Sequence, residues 1–141
     1  MSESEATEAV NWRKGEDFRV RLEDEIYRSS RYQIPFSIVV ASLRFTNRGT
    51  QGALDDFVRM RLRRLDVPGA LSDRDFAIAL PHTDHAGCEI VADRLRAVLL
   101  DFSPLVGTSS FPEDGNTPEA LLRAALLDAR TRNGHQGHPA A

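Results

Sequence analysis

The feature of this sequence that most constrains its fold is the alternation of strand-like runs with amphipathic helical segments. The run Phe36–Phe45 is rich in β-branched and aromatic residues and predicts a buried strand, and Pro35 separates it from a helix over residues 11–32. A second helix follows, with apolar residues from Leu54 to Leu65, and Pro68–Gly69 is predicted to end it. The remaining predicted elements are, in order, a hairpin over Ala70–Leu80, a helix over His85–Asp101, a strand over Leu105–Phe111 and a helix over 118–132. This order predicts a layered α/β (α+β) domain around a mixed sheet.

The helix after the hairpin has the clearest start signal in the chain. Asp84 precedes it and can accept a hydrogen bond from the first turn, which predicts an N-cap. Helical spacing predicts an inner face made of Ile90, Val91, Leu95, Val98 and Leu99.

Composition limits the classes of function. The 141 residues suffice for one domain, and with a net charge of −3 the chain has no overall positive field that would hold nucleic acid or an anionic membrane. The longest apolar stretch, Ile34–Leu43, is too short to span a bilayer. Because Cys88 is the single cysteine, no intrachain disulfide is possible, and we expect a cytoplasmic protein.

The two ends of the chain differ from its middle. Residues 1–10 are polar and acidic without a basic residue, so we interpret them as a disordered lead-in rather than a signal peptide. Residues 135–141 have the composition of a flexible tail, which leaves 11–134 as the folded domain.

Several segments, in order, resemble the GGDEF (diguanylate cyclase) domain of bacterial signalling proteins. They are F-R-V-R-L-E-D-E-I-Y-R-S-S-R-Y-Q-I-P-F-S-I-V-V from Phe18, D-V-P-G-A-L-S-D-R-D-F-A-I-A-L-P over Asp66–Pro81, A-D-R-L-R-A-V-L from Ala92, and V-G-T-S-S-F-P-E-D-G-N-T-P-E-A-L-L-R-A-A from Val106. The resemblance covers roughly residues 16–134. It implies a central, mainly antiparallel sheet with Phe36–Leu43 as an inner strand and helices on both faces.

The signature of that family is altered in this chain. Ser72, Asp73, Arg74, Asp75 and Phe76 occupy the positions of Gly-Gly-Asp-Glu-Phe. In the family the paired glycines let the backbone approach GTP, and a Cβ there would collide with the nucleotide. The signature glutamate, a carboxylate linked to the metal, becomes the shorter Asp75.

The family's metal-binding aspartates at the end of the first strand are also absent. The D-x-D-x-F-K pattern is replaced by A-S-L-R-F-T, so Ala41 and Leu43 stand where the aspartates belong. The following segment, Phe45–Arg63, is shorter than in the family and lacks the elements that seat guanine and ribose. Two-metal phosphoryl transfer depends on such carboxylates. We therefore expect a pseudo-enzyme with no catalytic residues, no bound metal and no cofactor.

One binding motif of the family is retained. Arg63-Arg64-Leu65-Asp66 has the R-x-x-D spacing of the inhibitory site at which active members bind cyclic di-GMP, and Arg94 matches a further arginine of that site. An arginine fork can bind the guanine O6/N7 edge or a phosphate, and a carboxylate can accept from guanine N–H groups. The resemblance thus implies a cyclic di-GMP receptor that acts through a protein partner or through self-association.

Each of the singled-out segments also has a purely structural interpretation. The arginines and Asp66 could form a solvated helix end, and residues 72–76 could be only a polar hairpin tip. His82, His85 and Cys88 could suggest zinc, but Asp84 as a cap with Cys88 packed inward explains that segment better. The competing function is a protein–protein adaptor that keeps the GGDEF-like scaffold and binds no nucleotide.

Overall fold

The computed structural model describes residues 10–136, whose strands form one five-stranded sheet. The strands are β1 (Arg13–Lys14), β2 (Phe36–Leu43), β3 (Val67–Ala70), β4 (Asp75–Pro81) and β5 (Pro104–Phe111). Their order across the sheet is β1-β3-β4-β2-β5, and every neighbouring pair is antiparallel except the parallel pair β1 and β3. The expected α+β architecture with a mainly antiparallel sheet is confirmed.

Helices cover both faces of this sheet. They are α1 (Gly15–Tyr32), α2 (Thr50–Arg61), α3 (His85–Val98) and α4 (Pro118–Gln136), with a 3-10 turn at Leu100–Phe102. Phe18 of α1 and Leu121 of α4 belong to the core on one face, whereas Leu54 of α2 and Leu95 of α3 belong to the core on the other. The sheet is therefore a middle layer, and its inner strands must be apolar on both sides.

Strand β2 is buried on both faces, which explains its run of apolar residues in the sequence. Ile38 and Val40 face the α1/α4 side, while Val39 and Ala41 face the α2/α3 side, and all four are fully buried. Because both faces are covered, the strand is a continuous apolar run rather than an alternating one. The predicted inner strand is confirmed over Phe36–Leu43.

The end of α2 differs from the sequence-based expectation. The helix stops at Arg61, since Leu62 is already extended, and Pro68 and Gly69 lie inside β3 instead of ending the helix. A Cβ on Gly69 would lie 2.5 Å from the ring of Phe18, so the glycine lets that ring pack directly on the strand. The predicted stop at Pro68–Gly69 was wrong because both residues lie in β3, where Gly69 serves packing and not helix termination.

The predicted inner face of α3 was also partly wrong. Asp84 caps the helix as expected, with its carboxylate accepting from the Gly87 backbone N–H at 2.9 Å. However, Ile90 and Val98 are 53% and 41% exposed. The buried stripe consists of Cys88, Ala92, Leu95 and Leu99. Its two small residues let the helix axis approach the sheet, a preference that hydrophobicity alone does not indicate.

The ends of the chain lie mostly beyond the described part. The expected lead-in 1–10 and tail 135–141 fall outside the described residues, apart from residue 10 and the last two residues of α4. The extent of the folded domain, 11–134, stays a prediction. Within residues 10–136, no helix combines the length and apolarity that crossing a membrane requires.

Candidate functional site

The turn between β3 and β4, which carries the altered signature, is closed by its own hydrogen bonds. The Ser72 hydroxyl accepts from the backbone N–H groups of Arg74 and Asp75, at 3.3 and 3.1 Å. The backbone N–H groups of Leu71 and Ser72 both donate to the Asp75 carbonyl, at 2.8 and 3.2 Å. Ser72, Asp73 and Arg74 are exposed at its tip. This geometry is that of a self-supported polar hairpin turn.

The remaining signature carboxylate has a hydroxyl partner. Asp75 lies opposite Ser42 in the ladder, and the Ser42 hydroxyl donates to its Oδ1 at 2.6 Å. Beside it, the Arg74 guanidinium donates to the carbonyl of Arg44 just after β2. The charged side chains of Arg74 and Asp75 thus both have partners within the protein, whereas Asp73 at the tip is exposed to solvent.

The side chains around Asp75 do not fit a two-metal site. Ala41 and Leu43, at the positions of the family's aspartates, are buried in the apolar core of the α2/α3 face. Among the described residues, no group of three His, Cys, Asp or Glu side chains could hold a metal ion. A pair of divalent cations needs several oxygen ligands, and of the three positions that correspond to the family's metal carboxylates only Asp75 has one.

A pocket of about 350 Å³, here called the hairpin pocket, adjoins this turn and is lined by Trp12, Lys14, Ser72, Asp73 and Phe76, among others. The half-buried Trp12 ring meets Phe76 edge-on at 5.5 Å between centroids. Its indole N–H donates to Asp55 of α2 at 2.7 Å. The sequence did not predict β1, the two-residue strand that follows Trp12 and pairs with β3.

A second pocket, of about 440 Å³, lies at the opposite end of β4. The seven residues of β4 separate it from the hairpin turn by about 20 Å at the usual rise per residue. Arg63 and Asp66, in the turn between α2 and β3, line this pocket together with Arg94 of α3. Arg64 is exposed and does not line it. This cavity is called the arginine pocket below.

Arg63 and Asp66 form a fixed pair in the arginine pocket. The Asp66 side chain is 3% exposed, and its two oxygens accept from the Arg63 backbone N–H at 2.8 Å and from Arg63 Nη2 at 3.2 Å. The same Nη2 donates to the carbonyl of Pro81 and, at 2.6 Å, to the hydroxyl of Thr83. Asp66 thereby both closes the turn after α2 and holds the guanidinium, which stays 46% exposed at the pocket. A solvated helix end would not have this buried carboxylate.

Two further arginines line the same pocket without a partner. Arg61, the last residue of α2, and Arg94 are exposed, and their side chains make no hydrogen bond or ion pair with any residue in 10–132. Exposed His82 lines the pocket as well, in a left-handed conformation with φ 56°. The motif did not indicate Arg61 because this residue lies outside the R-x-x-D spacing, although its place two residues before Arg63 was a usable signal.

The electrostatics of the arginine pocket favour an anion. Its two carboxylates are already engaged, Asp66 with Arg63 and Asp84 with the first turn of α3. The N-terminus of α3 borders the pocket and adds the positive end of the helix dipole. Leu80 and Ile90 give part of the lining an apolar character that suits the face of a planar base.

The proposed zinc alternative at His82, His85 and Cys88 has no geometric support. Cys88 is fully buried, and its thiol contacts the carbonyl of Ile38 at 3.6 Å. Burial raises the pKa of this thiol to about 12, so the thiolate that a metal requires is disfavoured. The interpretation of Asp84 as a cap with Cys88 packed inward is confirmed.

Comparison with known proteins gives structural matches only. No protein-family model matches the sequence, and no curated protein matches it. Among solved structures, a sensory box/GGDEF family protein of Caulobacter crescentus has a TM-score of 0.71 at 17% identity, covering 86% of this chain and 93% of that one. The active GGEEF domain of a diguanylate cyclase from Vibrio cholerae has a TM-score of 0.71 at 14% identity, covering 88% and 94%.

A third match was solved with a ligand. The GGDEF domain of DgcB from Caulobacter crescentus, in complex with cyclic di-GMP, has a TM-score of 0.64 at 10% identity, covering 89% of this chain and 86% of that one. These similarities establish that this chain has a GGDEF-like fold, as the resemblance implied.

Proposed function

We propose that this protein is a catalytically inactive cyclic di-GMP receptor, which binds the dinucleotide in the arginine pocket and relays the signal to a protein partner. The observation that carries the proposal is the convergence of Arg63, Asp66 and Arg94 on one pocket. The GGDEF-like DgcB domain, which is in complex with cyclic di-GMP, supports this ligand class.

The chemistry of the arginine pocket suits this ligand. Cyclic di-GMP has two phosphodiester anions and two guanines, so it needs cationic donors beside an apolar surface. Arg63 is held by Asp66, Pro81 and Thr83 through Nη2 alone, which leaves its Nε and Nη1 donors for a guanine edge or a phosphate. Because these contacts hold the guanidinium before binding, less side-chain entropy is lost when ligand arrives.

The proposal that the protein lacks diguanylate cyclase activity is based on the residues at the hairpin end of β4. Asp75 is engaged by Ser42, and the side chains of Ala41 and Leu43 are apolar, so the described residues offer no set of carboxylates that would hold two cations against a triphosphate. We therefore expect no phosphoryl transfer from GTP, and we propose binding of cyclic di-GMP as the function. Because the sequence has a single cysteine and therefore no intrachain disulfide, we include a cytoplasmic location in the proposal.

Isothermal titration calorimetry of the full chain with cyclic di-GMP, and with GTP as the control ligand, tests the receptor function. We expect saturable binding of the dinucleotide, together with a rise in thermal stability, because a ligand that binds only the folded state stabilises it. Absence of heat, of a thermal shift and of a mass change would reject the receptor function. The nucleotide-independent adaptor would then take its place.

A further inference from the structure

Arg61 is the feature of the arginine pocket that no motif accounts for. It is the last residue of α2 and lines the pocket, and its side chain has no hydrogen-bond or ion-pair partner among residues 10–132. A basic residue in the last turn of a helix is favourable because of the dipole, but Arg59 already supplies one in the same turn, where it lies 3.5 Å from Asp56. The dipole alone therefore does not explain a second arginine that borders the cavity.

The guanidinium groups of the pocket fall into two kinds. Arg63 is committed to the protein through Nη2, whereas Arg61 and Arg94 keep all their donors uncommitted among the described residues. The two uncommitted groups come from different helices, α2 and α3. Because each phosphodiester carries one negative charge, a ligand with two of them is matched by two such groups.

We propose that Arg61 is a ligand-binding residue of the arginine pocket, and that Arg61 and Arg94 bind the two phosphate groups of the dinucleotide. Arg63, which Asp66 holds in place, then donates hydrogen bonds to a guanine edge of the ligand. This inference rests on the proposed function and extends its binding residues beyond the R-x-x-D motif.

Titration of cyclic di-GMP into Arg61→Ala, Arg61→Lys and the matched control Arg48→Ala tests the assignment. Arg48 is an exposed arginine in the loop before α2, at the hairpin end, so its removal changes net charge equally without touching the pocket. We expect Arg61→Ala to weaken binding about tenfold, Arg61→Lys less, and Arg48→Ala not at all. Loss of a phosphate contact should also reduce the salt dependence of the dissociation constant, which a merely structural role would leave unchanged.

The outcomes separate this inference from the proposed function. If the unchanged protein binds the dinucleotide and Arg61→Ala binds equally well with the same salt dependence, the role of Arg61 is overturned and the receptor function stands. If the unchanged protein does not bind, the proposed function fails, and this inference with it. Melting temperatures of the three variants near that of the unchanged protein would show that the fold is intact, as expected for exposed side chains.

Discussion

At the hairpin end of β4, Ser72, Arg74 and Asp75 of the altered signature have hydrogen-bond partners within the protein, whereas at the far end the guanidinium groups of two arginines have none among the described residues. Ser72 and Asp75 are engaged by the turn and by Ser42. Arg61 and Arg94 instead face a cavity. Because function resides in sites and not in the fold, the two ends of β4 can be assessed separately, and the free guanidinium groups make the far end the candidate binding site.

The largest expected difference between the two ends is in catalysis. Incubated with GTP and Mg²⁺ or Mn²⁺, the protein should form no cyclic di-GMP, because Asp75 has no second carboxylate beside it at Ala41 or Leu43. Chromatography of the reaction mixture against a sample without protein checks this. Product that disappears in Asp75→Ala would mean that the hairpin end is an active site after all.

Substitutions at each end should separate their roles in binding. Arg63→Ala removes charged donors from the arginine pocket and should cost about 1.5–3 kcal/mol of binding free energy, roughly ten- to over a hundredfold in affinity. Asp66→Ala should also weaken binding strongly, because it releases the Arg63 guanidinium. Asp75→Ala, at the hairpin end, should leave the calorimetric dissociation constant unchanged. Equal losses in all three variants would contradict the separation.

Asp84 allows the fold and the ligand to be separated within the arginine pocket. Asp84→Ala removes the cap of α3 and should lower the free energy of unfolding by about 1 kcal/mol, whereas Asp84→Asn keeps a capping oxygen and should lower it little. Both variants remove a negative charge from the pocket lining, so both should bind the dinucleotide about two- to fivefold more tightly. Weaker binding by Asp84→Asn would argue that the pocket does not hold an anion.

The smallest effect on binding is expected for Glu89, which lies on α3 but outside the arginine pocket. Hydrogen bonds from Arg132, at 2.7 and 2.9 Å, are the main cause that lowers the pKa of Glu89 from 4.5 to about 2, and Thr108 adds a further one. A lowered folded-state pKa stabilises the protein above pH 4.5, and this stabilisation is lost as pH falls towards 2.

Glu89→Gln should therefore melt at a lower temperature than the unchanged protein at pH 7, with a gap that narrows below pH 4.5, while its affinity for the dinucleotide stays the same. Thermal unfolding at pH 7 and pH 3 measures the gap. A gap that widens in acid would contradict a lowered pKa of Glu89 in the folded protein.

The parts of the fold that the sequence predicted are those set by local signals. The strand Phe36–Leu43, the hairpin and the Asp84 cap follow from β-branched content, turn residues and a capping side chain. The errors arose where contacts distant in sequence decide the structure. The Phe18 ring requires Gly69 in β3, and β1 is a two-residue strand whose pairing partner, β3, is more than 50 residues away in the sequence.

The same division holds for the candidate site. The spacing of Arg63 and Asp66 was visible in the sequence, but the acceptors that hold Arg63, at Pro81 and Thr83, are 18 and 20 residues away. The place of Arg61 on the pocket wall depends on where α2 ends. Arg64, which the motif spacing had included, lies outside the pocket because the turn directs only Arg63 and Asp66 towards it.

Nuclear magnetic resonance of the ¹⁵N-labelled protein titrated with cyclic di-GMP tests the difference between the two ends most directly. We expect the shifting backbone amides to cluster at residues 61–66, 80–84 and 87–94, which border the arginine pocket. The amides of residues 71–76 at the hairpin turn should stay in place. Shifts confined to residues 71–76, or no shifts anywhere, would contradict the claim that the binding function resides at the end of β4 opposite the signature.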